Sequence, residues 1–364
     1  IRAVYLLNIN KIKYRDKVFQ NIDLKGNYSN GRLRNAYSSS INFEKFILRD
    51  FNSDLTGSLS IENLKQPYIK LDARGKTNAK ILNKITKNGK IQNISGYLYP
   101  DFQLQSKLTS LKSLDLDAIL ASGISGKIEL ENLSALLNNR YPIDELNGEV
   151  RFAGESWHTD IACKSNKSII NADLQIDHVF KYLSGQTGTL CINGTVNSEF
   201  LDLTPVTTLK EEKQKEAEKK AFNLPEGLYA KIRLNIEKLN AGKFNSSAIQ
   251  GFLQYKPGFL SLSGMQMNTM EGTISGNSAV IQDENKNLHI RTQNNLDNIN
   301  INDLFYSFNN FRQDFIIAEN IKGFLSGSVD FETVFDSLLN VRKNEILTTA
   351  DINISSGELI DFEP

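Results

Sequence analysis

Polar and apolar residues alternate along most of this 364-residue chain, and the alternation limits the folds that the chain can adopt. In the stretch 251–276, Leu260 and Leu262 alternate with serines, which is typical of a β-strand with one dry face. Pro257 and Gly258 precede this run and favour a tight turn. The stretch therefore predicts an antiparallel meander with a single apolar face.

The parity of the alternation changes once inside this meander. Met265 and Met267 continue the pattern, but out of phase with Leu260 and Leu262. Gly264 stands at the change, and a β-bulge at that position would return both pairs of side chains to one face. The sequence therefore predicts a bulge at this glycine.

A short unit with the same alternation recurs along the chain, in which a glycine is followed by polar, apolar, polar and apolar residues. The unit begins at Gly57, Gly126, Gly148 and Gly327, without a fixed spacing. Each copy leaves one face polar and one face apolar, as expected of an antiparallel sheet that is solvated on one side. We therefore predict an all-β fold.

A few short segments favour helix instead. Residues 78–87 place apolar side chains at helical spacing, and residues 133–137 suit a single turn. Residues 298–308 form another candidate, with Asn302 or Asp303 as the N-cap before Leu304. The predicted class is all-β with a few short helices.

A charged segment divides the chain. Residues 204–224 mix lysine and glutamate and contain almost no apolar anchor before Phe222. Either a solvated helix or a disordered loop suits this composition, and so long a loop is unusual inside a compact domain. We predict a repetitive β-sheet region at 1–203, a charged linker or insertion at 204–224, and a second β region at 225–364.

Charge and motifs argue against several classes of function. The 42 basic residues balance the 42 acidic residues, so no net field attracts nucleic acid. The chain contains no nucleophile elbow, P-loop or dinucleotide fingerprint, and its three histidines are far apart in sequence. We therefore predict a protein that is not an enzyme, with no catalytic residue, no metal site and no cofactor.

The cysteines and the chain start bear on the cellular context. Cys163 and Cys191 form either one disulfide or two thiols, and their apolar surroundings favour thiols. The sequence begins at Ile1 inside a strand-like pattern and contains neither a signal peptide nor an apolar run long enough to span a bilayer. We expect a fragment of a longer protein.

The predicted sheet has an apolar face that must be covered, because such a surface promotes aggregation when it is exposed. Three arrangements satisfy this requirement: the sheet folds over into a sandwich, short helices cap it, or it curls into a trough that holds an apolar ligand. The strand pattern alone leaves all three open.

The second region resembles the C-terminal region of the AsmA family, in the versions found in Bacteroidetes-type bacteria. The residues that carry the resemblance are Leu224-Pro225-Glu226, the strand Ala230 to Ile236, Gly251, Pro257 to Leu262, Met270 to Gly276, Ile301 to Phe305, Phe308 to Phe311, Glu319 to Gly323 and the strand that begins at Gly327. The first region is similar to the family only through its repeated units.

The resemblance implies both a fold and a function. Members of the AsmA family are related to TamB and to the bridge-like lipid transfer proteins, in which an elongated, curled antiparallel β-sheet forms a trough or half-open barrel. The expected protein is anchored in the inner membrane of a Gram-negative bacterium by an N-terminal helix and extends into the periplasm. It would bind phospholipid or another acyl-chain lipid and contribute to outer-membrane lipid homeostasis. The family supplies no catalytic residues.

The candidate lipid-binding residues are apolar side chains predicted to point inward from three strands. They are Leu234, Ile236, Leu260, Leu262, Met265, Met267, Leu325, Val329 and Phe331. The same residues would suit an ordinary packed core. The alternative function is a non-enzymatic interaction module that assists outer-membrane protein assembly by pairing its sheet edge with a strand of an envelope protein.

Overall fold

A computed structural model describes residues 1–14, 17–49, 53–84, 91–108, 123–137, 141–179, 182, 189–204 and 222–361. The described residues form eighteen β-strands and a few short helices, so the predicted all-β class is confirmed. The strands are β1 (Arg2–Tyr14), β2 (Lys17–Ser29), β3 (Ser40–Leu48), β4 (Asp54–Glu62), β5 (Tyr68–Asn78), β6 (Ile91–Lys107), β7 (Ile124–Leu137), β8 (Tyr141–Ala153), β9 (Ser156–Ser165), β10 (Ser168–Asp177), β11 (Leu190–Asp202), β12 (Leu228–Ala241), β13 (Phe244–Lys256), β14 (Phe259–Thr269), β15 (Gly272–Gln282), β16 (Leu288–Asn300), β17 (Ile321–Phe335) and β18 (Leu347–Leu359).

The chain forms two compact units. Unit 1 contains residues 1–166 and 173–190, and unit 2 contains residues 167–172 and 191–364, so strand β10 is shared between them. The predicted division at 204–224 falls inside unit 2, and most of that segment lies outside the described residues. Its role as a linker or insertion stays a prediction.

Unit 1 is an antiparallel meander in which each strand from β1 to β9 pairs with its neighbours in sequence. One row of opposed residues, Phe43, Leu59, Leu71, Leu104 and Ile124, crosses five strands on the apolar face. This face is compatible with the predicted trough. Side chains on this face are partly buried because directly opposed residues of neighbouring strands contact each other.

Two of the three predicted helical segments lie in unit 1. A 3₁₀ helix at Ala79–Lys84 replaces the predicted helix at 78–87, whose last residues lie outside the described ones. The predicted turn at 133–137 is wrong, because these residues belong to β7 and Leu133 opposes Leu146 of β8. Leu133 packs with Ala79, Ile94 and Leu98 in a buried cluster, which explains why its apolar run is extended.

Unit 2 contains the meander predicted for residues 251–276. Strands β12 to β18 pair antiparallel in chain order. The predicted bulge is confirmed: the register between β14 and β15 shifts between Leu262 and Met265, and Gly264 has a φ of 59°. As a result, Leu262 opposes Ser278 and Met265 opposes Gly276, two positions on the same face of β15.

The connection between β16 and β17 carries the third predicted helix. The helix α1 spans Ile301–Ser307, and its N-cap is Asn300, whose side chain accepts a hydrogen bond from the backbone N–H of Asp303. The predicted N-cap at Asn302 or Asp303 is therefore wrong. The shift arises because Ile299 and Ile301 are buried, which places the helix start directly after the strand.

Cys163 and Cys191 are both half-buried and do not form a disulfide with each other, so the prediction of two thiols is confirmed. Burial raises the pKa of the Cys163 thiol, and the nearby carboxylate of Asp144 adds to the effect. A raised pKa keeps this thiol protonated and poorly nucleophilic at neutral pH.

Candidate functional site

The strand registers of unit 2 place the nine predicted inward residues on one face of the sheet. Three rows of directly opposed residues connect β14 with β17, and directly opposed residues share a face. The rows are Leu262–Ser278–Thr292–Phe331, Met265–Gly276–Asn294–Val329 and Met267–Ile274–Leu296–Gly327. Leu325 lies two residues before Gly327 on the same strand face.

Strand β12 contributes to the same face, and β13 lies between β12 and β14. Leu253 of β13 opposes Leu262 on one side and Ile232 of β12 on the other, and Leu234 and Ile236 follow Ile232 at two-residue steps. Leu234 opposes Gly251, and Leu262 leans over that glycine: a Cβ at residue 251 would lie 2.9 Å from Leu262 Cδ1. We call the surface formed by these rows the apolar face of unit 2.

Burial distinguishes this face from a sealed core. Ile236 and Leu325 are buried, whereas the other seven predicted residues are only half-buried. In a packed core, side chains of this size are typically almost fully buried. The apolar face of unit 2 therefore retains surface that an apolar ligand can cover.

The opposite face of the same strands is mainly polar. Strand β12 points Lys231, Arg233 and Glu237 outward, and all three are exposed. On β16, His289 and Arg291 follow the same pattern, and Arg291 forms an ion pair with Glu332 at 3.1 Å. The sheet of unit 2 is thus amphipathic.

A polar strip interrupts the apolar face, and the sequence analysis missed it. Thr292 and Asn294 of β16 lie between the leucines and methionines of β14 and the apolar residues of β17. Asn294 Nδ2 donates to Thr292 Oγ1 at 3.2 Å, and Asn294 Oδ1 is buried without a hydrogen-bond partner among the described residues. The carboxamide lies over Gly276, where a Cβ would come within 2.5 Å of Oδ1. Thr292 and Asn294 point to the same face as the apolar residues Ile290 and Leu296. The alternation of polar and apolar residues along β16 therefore did not predict this strip.

One cavity in unit 2 lies mostly on the polar side of the sheet, although Ile236 of the apolar face also lines it. It has a volume of about 400 Å³ and is lined mainly by outward-facing polar side chains, including Asn197, Asn235, Glu199, Glu237 and Gln250. Asn235 Nδ2 donates to Asn197 Oδ1 at 2.8 Å across it. These polar side chains make the cavity a poor site for an acyl chain.

A carboxylate network stabilises the turn between β15 and β16. Asp283 accepts hydrogen bonds from the backbone N–H and the side-chain Nδ2 of Asn287, both at 2.8 Å, and His289 Nε2 lies 3.1 Å from its Oδ2. The Asn287 side chain and then His289 lower the pKa of Asp283 from its usual 3.8 to about 2. Arg342 donates to Asn287 Oδ1 at 2.9 Å, which ties the turn to the segment after β17.

This network predicts a specific dependence of stability on pH. Because the pKa of Asp283 is lower in the folded chain, its stabilising contribution is present above pH 3.8 and disappears as the pH falls towards about 2. We expect the difference in thermal stability between the wild type and Asp283→Asn to shrink over that interval. Melting temperatures of both proteins, measured from neutral pH down to this range, test it; a difference that stays constant throughout would contradict the assignment.

The histidines and possible metal-binding residues give little support for a catalytic or metal site. His158 and His289 are exposed, and each faces one aspartate, Asp173 at 3.6 Å and Asp283 at 3.1 Å respectively. Among the described residues, no group of three or more histidine, cysteine, aspartate or glutamate side chains is arranged to hold a metal ion. None of the described helices has the length and apolarity needed to cross a membrane.

Comparisons with known proteins add no assignment: no protein-family model, curated protein or solved structure matches this chain. The resemblance to the AsmA family therefore stays a prediction that depends on the residues quoted for it.

Proposed function

We propose that this chain is a non-enzymatic lipid-binding part of a periplasmic lipid-transfer protein, and that the apolar face of unit 2 holds acyl chains. The observation that carries the proposal is the placement of nine apolar residues from three strands on one face, seven of them only half-buried. A face of this kind supplies apolar contacts along several strands and leaves them accessible from one side. Acyl chains fit it because they need apolar contact without directional hydrogen bonds.

The energetics support the proposal. Each methylene transferred from water to an apolar surface contributes about 0.8 kcal/mol, so an acyl chain with on the order of ten methylenes in contact gains several kcal/mol. The soft methionines Met265 and Met267 suit such a surface, because their unbranched side chains adapt to ligands of different shape.

The wider role rests on the resemblance to the AsmA family. In this proposal the longer protein is anchored in the inner membrane, extends through the periplasm and moves phospholipid for outer-membrane lipid homeostasis. The chain described here would form part of its lipid path.

Native mass spectrometry of the purified chain, followed by organic extraction, tests the binding proposal. We expect masses above that of the bare protein by one or more phospholipids, and acyl lipids in the extract. A bare mass under mild conditions, with no uptake of added phospholipid, would indicate a closed apolar core and contradict the proposal.

Strand β18 favours a second candidate function. All thirteen of its residues, Leu347–Leu359, are exposed, and Ile352 and Ile354 are each close to half exposed. An exposed strand can add a strand from a partner protein through backbone hydrogen bonds. In this case the chain would be an interaction module in outer-membrane protein assembly, and crosslinks from β18 to one envelope protein, without bound lipid, would distinguish it.

A further inference from the structure

Four exposed aromatic residues cluster on the connection between β16 and β17. The fractional exposures are 53% for Tyr306, 47% for Phe308, 52% for Phe311 and 67% for Phe315. We call these four residues the aromatic cap. Large aromatic side chains are usually mostly buried, so a group of four that are each about half exposed or more marks a candidate interaction surface.

Contacts between aromatic rings order two residues of the aromatic cap, Phe308 and Phe311. Phe308 and Phe311 stack at 5.8 Å with an interplanar angle of 11°, and Phe305 meets Phe311 edge-on at 5.2 Å. Within the same connection, Ile301 and Ala318 are buried, and Asn302 Nδ2 donates to the carbonyl of Ala318. The rings are therefore presented outward in a defined arrangement.

The backbone of the cap is strained. Asn309, Asn310 and Phe311 have φ values of 52°, 52° and 53°, three successive residues in the left-handed region. Asparagine tolerates this conformation, but a phenylalanine side chain crowds the backbone there. Strain of this kind persists where the surrounding structure over-determines it, which is common at functional sites. Here it positions Phe311 for stacking at the surface.

The cap lies at one end of the strands of unit 2. Phe308 contacts Phe244 at the β12–β13 turn, with ring centroids 6.0 Å apart, and the N–H of Asn300 donates to the carbonyl of Met270 at the β14–β15 turn. Lys243 of the first turn places its ammonium 4.7 Å from the ring of Tyr306. The apolar face of unit 2 therefore ends beside an aromatic surface with a phenol and an ammonium at its rim.

We propose that the aromatic cap docks this end of unit 2 onto the surface of a phospholipid bilayer. The composition fits a membrane interface, where phenylalanine rings enter the acyl boundary, and tyrosine hydroxyls and lysine ammonium groups remain at the headgroups. The inference rests on the proposed function, because a lipid that moves along the apolar face has to enter or leave a bilayer at one end of it.

Co-sedimentation with vesicles of phosphatidylethanolamine and a minor fraction of phosphatidylglycerol tests the proposal. We expect the wild type to bind, and the double variant Phe311→Asn, Phe315→Ser to bind at least roughly tenfold more weakly. Asparagine is chosen at position 311 because it accepts the left-handed backbone. The matched control, Phe252→Ser with Ile281→Ser, removes exposed apolar side chains from the outer face of unit 2 and should bind like the wild type.

A fluorescence measurement supplies an independent readout. The chain has one tryptophan, Trp157 in unit 1, which serves as the background signal. For Phe315→Trp we expect a blue shift on addition of the vesicles and quenching by brominated acyl chains. Equal vesicle binding by the cap variant and the wild type, or an unchanged emission spectrum, would overturn the proposal.

The outcomes separate this inference from the proposed function. Co-purified phospholipid together with absent vesicle binding would refute the docking surface and leave lipid binding intact. Vesicle binding that depends on the cap, with no lipid bound by the isolated chain, would refute the proposed function alone. A dimer in sedimentation velocity that dissociates in the cap variant would show that a second copy of the chain covers the surface, and would refute bilayer docking.

Discussion

Replacing Leu262 by aspartate is expected to abolish lipid binding by unit 2 while leaving the unit folded. Leu262 is half-buried at the centre of the apolar face, opposed by Leu253 and Ser278 and leaning over Gly251. A carboxylate at this position stays hydrated in the free protein through the exposed side of the face. An acyl chain would have to strip that water or force protonation, which costs far more than the methylene contacts return. We expect at least a tenfold loss of co-purified phospholipid.

The next residue of the same strand, Ser263, points to the outer face and supplies the matched control. Ser263 is exposed on the polar face, so Ser263→Asp introduces the same charge within the same strand without meeting the ligand. Its lipid content should equal that of the wild type. Circular dichroism of both variants reports whether they fold. If Leu262→Asp does not fold, Leu262→Ser replaces it in the lipid-binding measurement. A folded Leu262→Asp protein that retains lipid would show that the apolar face is not the binding surface.

Features of the structure that depend on the alternation of side chains along a strand could be predicted from the sequence. The bulge at Gly264 and the common face of the nine apolar residues both follow from the two-residue period of a strand, which one inserted residue resets. The polar strip at Thr292 and Asn294 was not predictable from the period, because polar and apolar residues share one parity on β16.

Features set by tertiary contact were missed for a different reason. The start of α1 depends on the burial of Ile299 and Ile301 against the sheet, and the run at 133–137 is extended because β8 pairs with it. Phe308 of the aromatic cap contacts Phe244, at the start of β13, across the end of the sheet. The spacing of residues along the sequence contains no information about such contacts, so only the three-dimensional structure reveals these features.

The glycines of the repeated unit also acquire a physical role that the sequence only suggested. Gly327 has a φ of 151°, and a Cβ on it would lie 2.1 Å from the carbonyl oxygen of Asp351 in β18. Gly126 in unit 1 has nearly the same geometry, with a φ of 150° and the carbonyl oxygen of Asp101 at 2.3 Å. Each glycine thus permits an approach of paired strands that no other residue allows.

Gly327→Val is therefore expected to cost unit 2 about 3 kcal/mol or more of its free energy of unfolding, since backbone strain and a collision with β18 act together. The control is Ser328→Val, the next residue on the exposed outer face, where a β-branched side chain suits a strand and the change should stay within about 0.5 kcal/mol. Urea unfolding followed by circular dichroism measures both, and equal stability of the two variants would contradict the steric role.

The place where Gly327→Val first loses structure gives a second test of the role of this glycine. The contacts closest to residue 327 come from Asp351 and Ile352, both in β18, whose residues are all exposed. Strand β18 has little buried surface to hold it, so it should separate from β17 before the rest of the unit opens. Amide exchange in Gly327→Val should therefore rise first across Leu347–Leu359 and leave β12 to β15 protected. Uniform loss of protection would mean that the glycine supports the whole sheet rather than one strand pair.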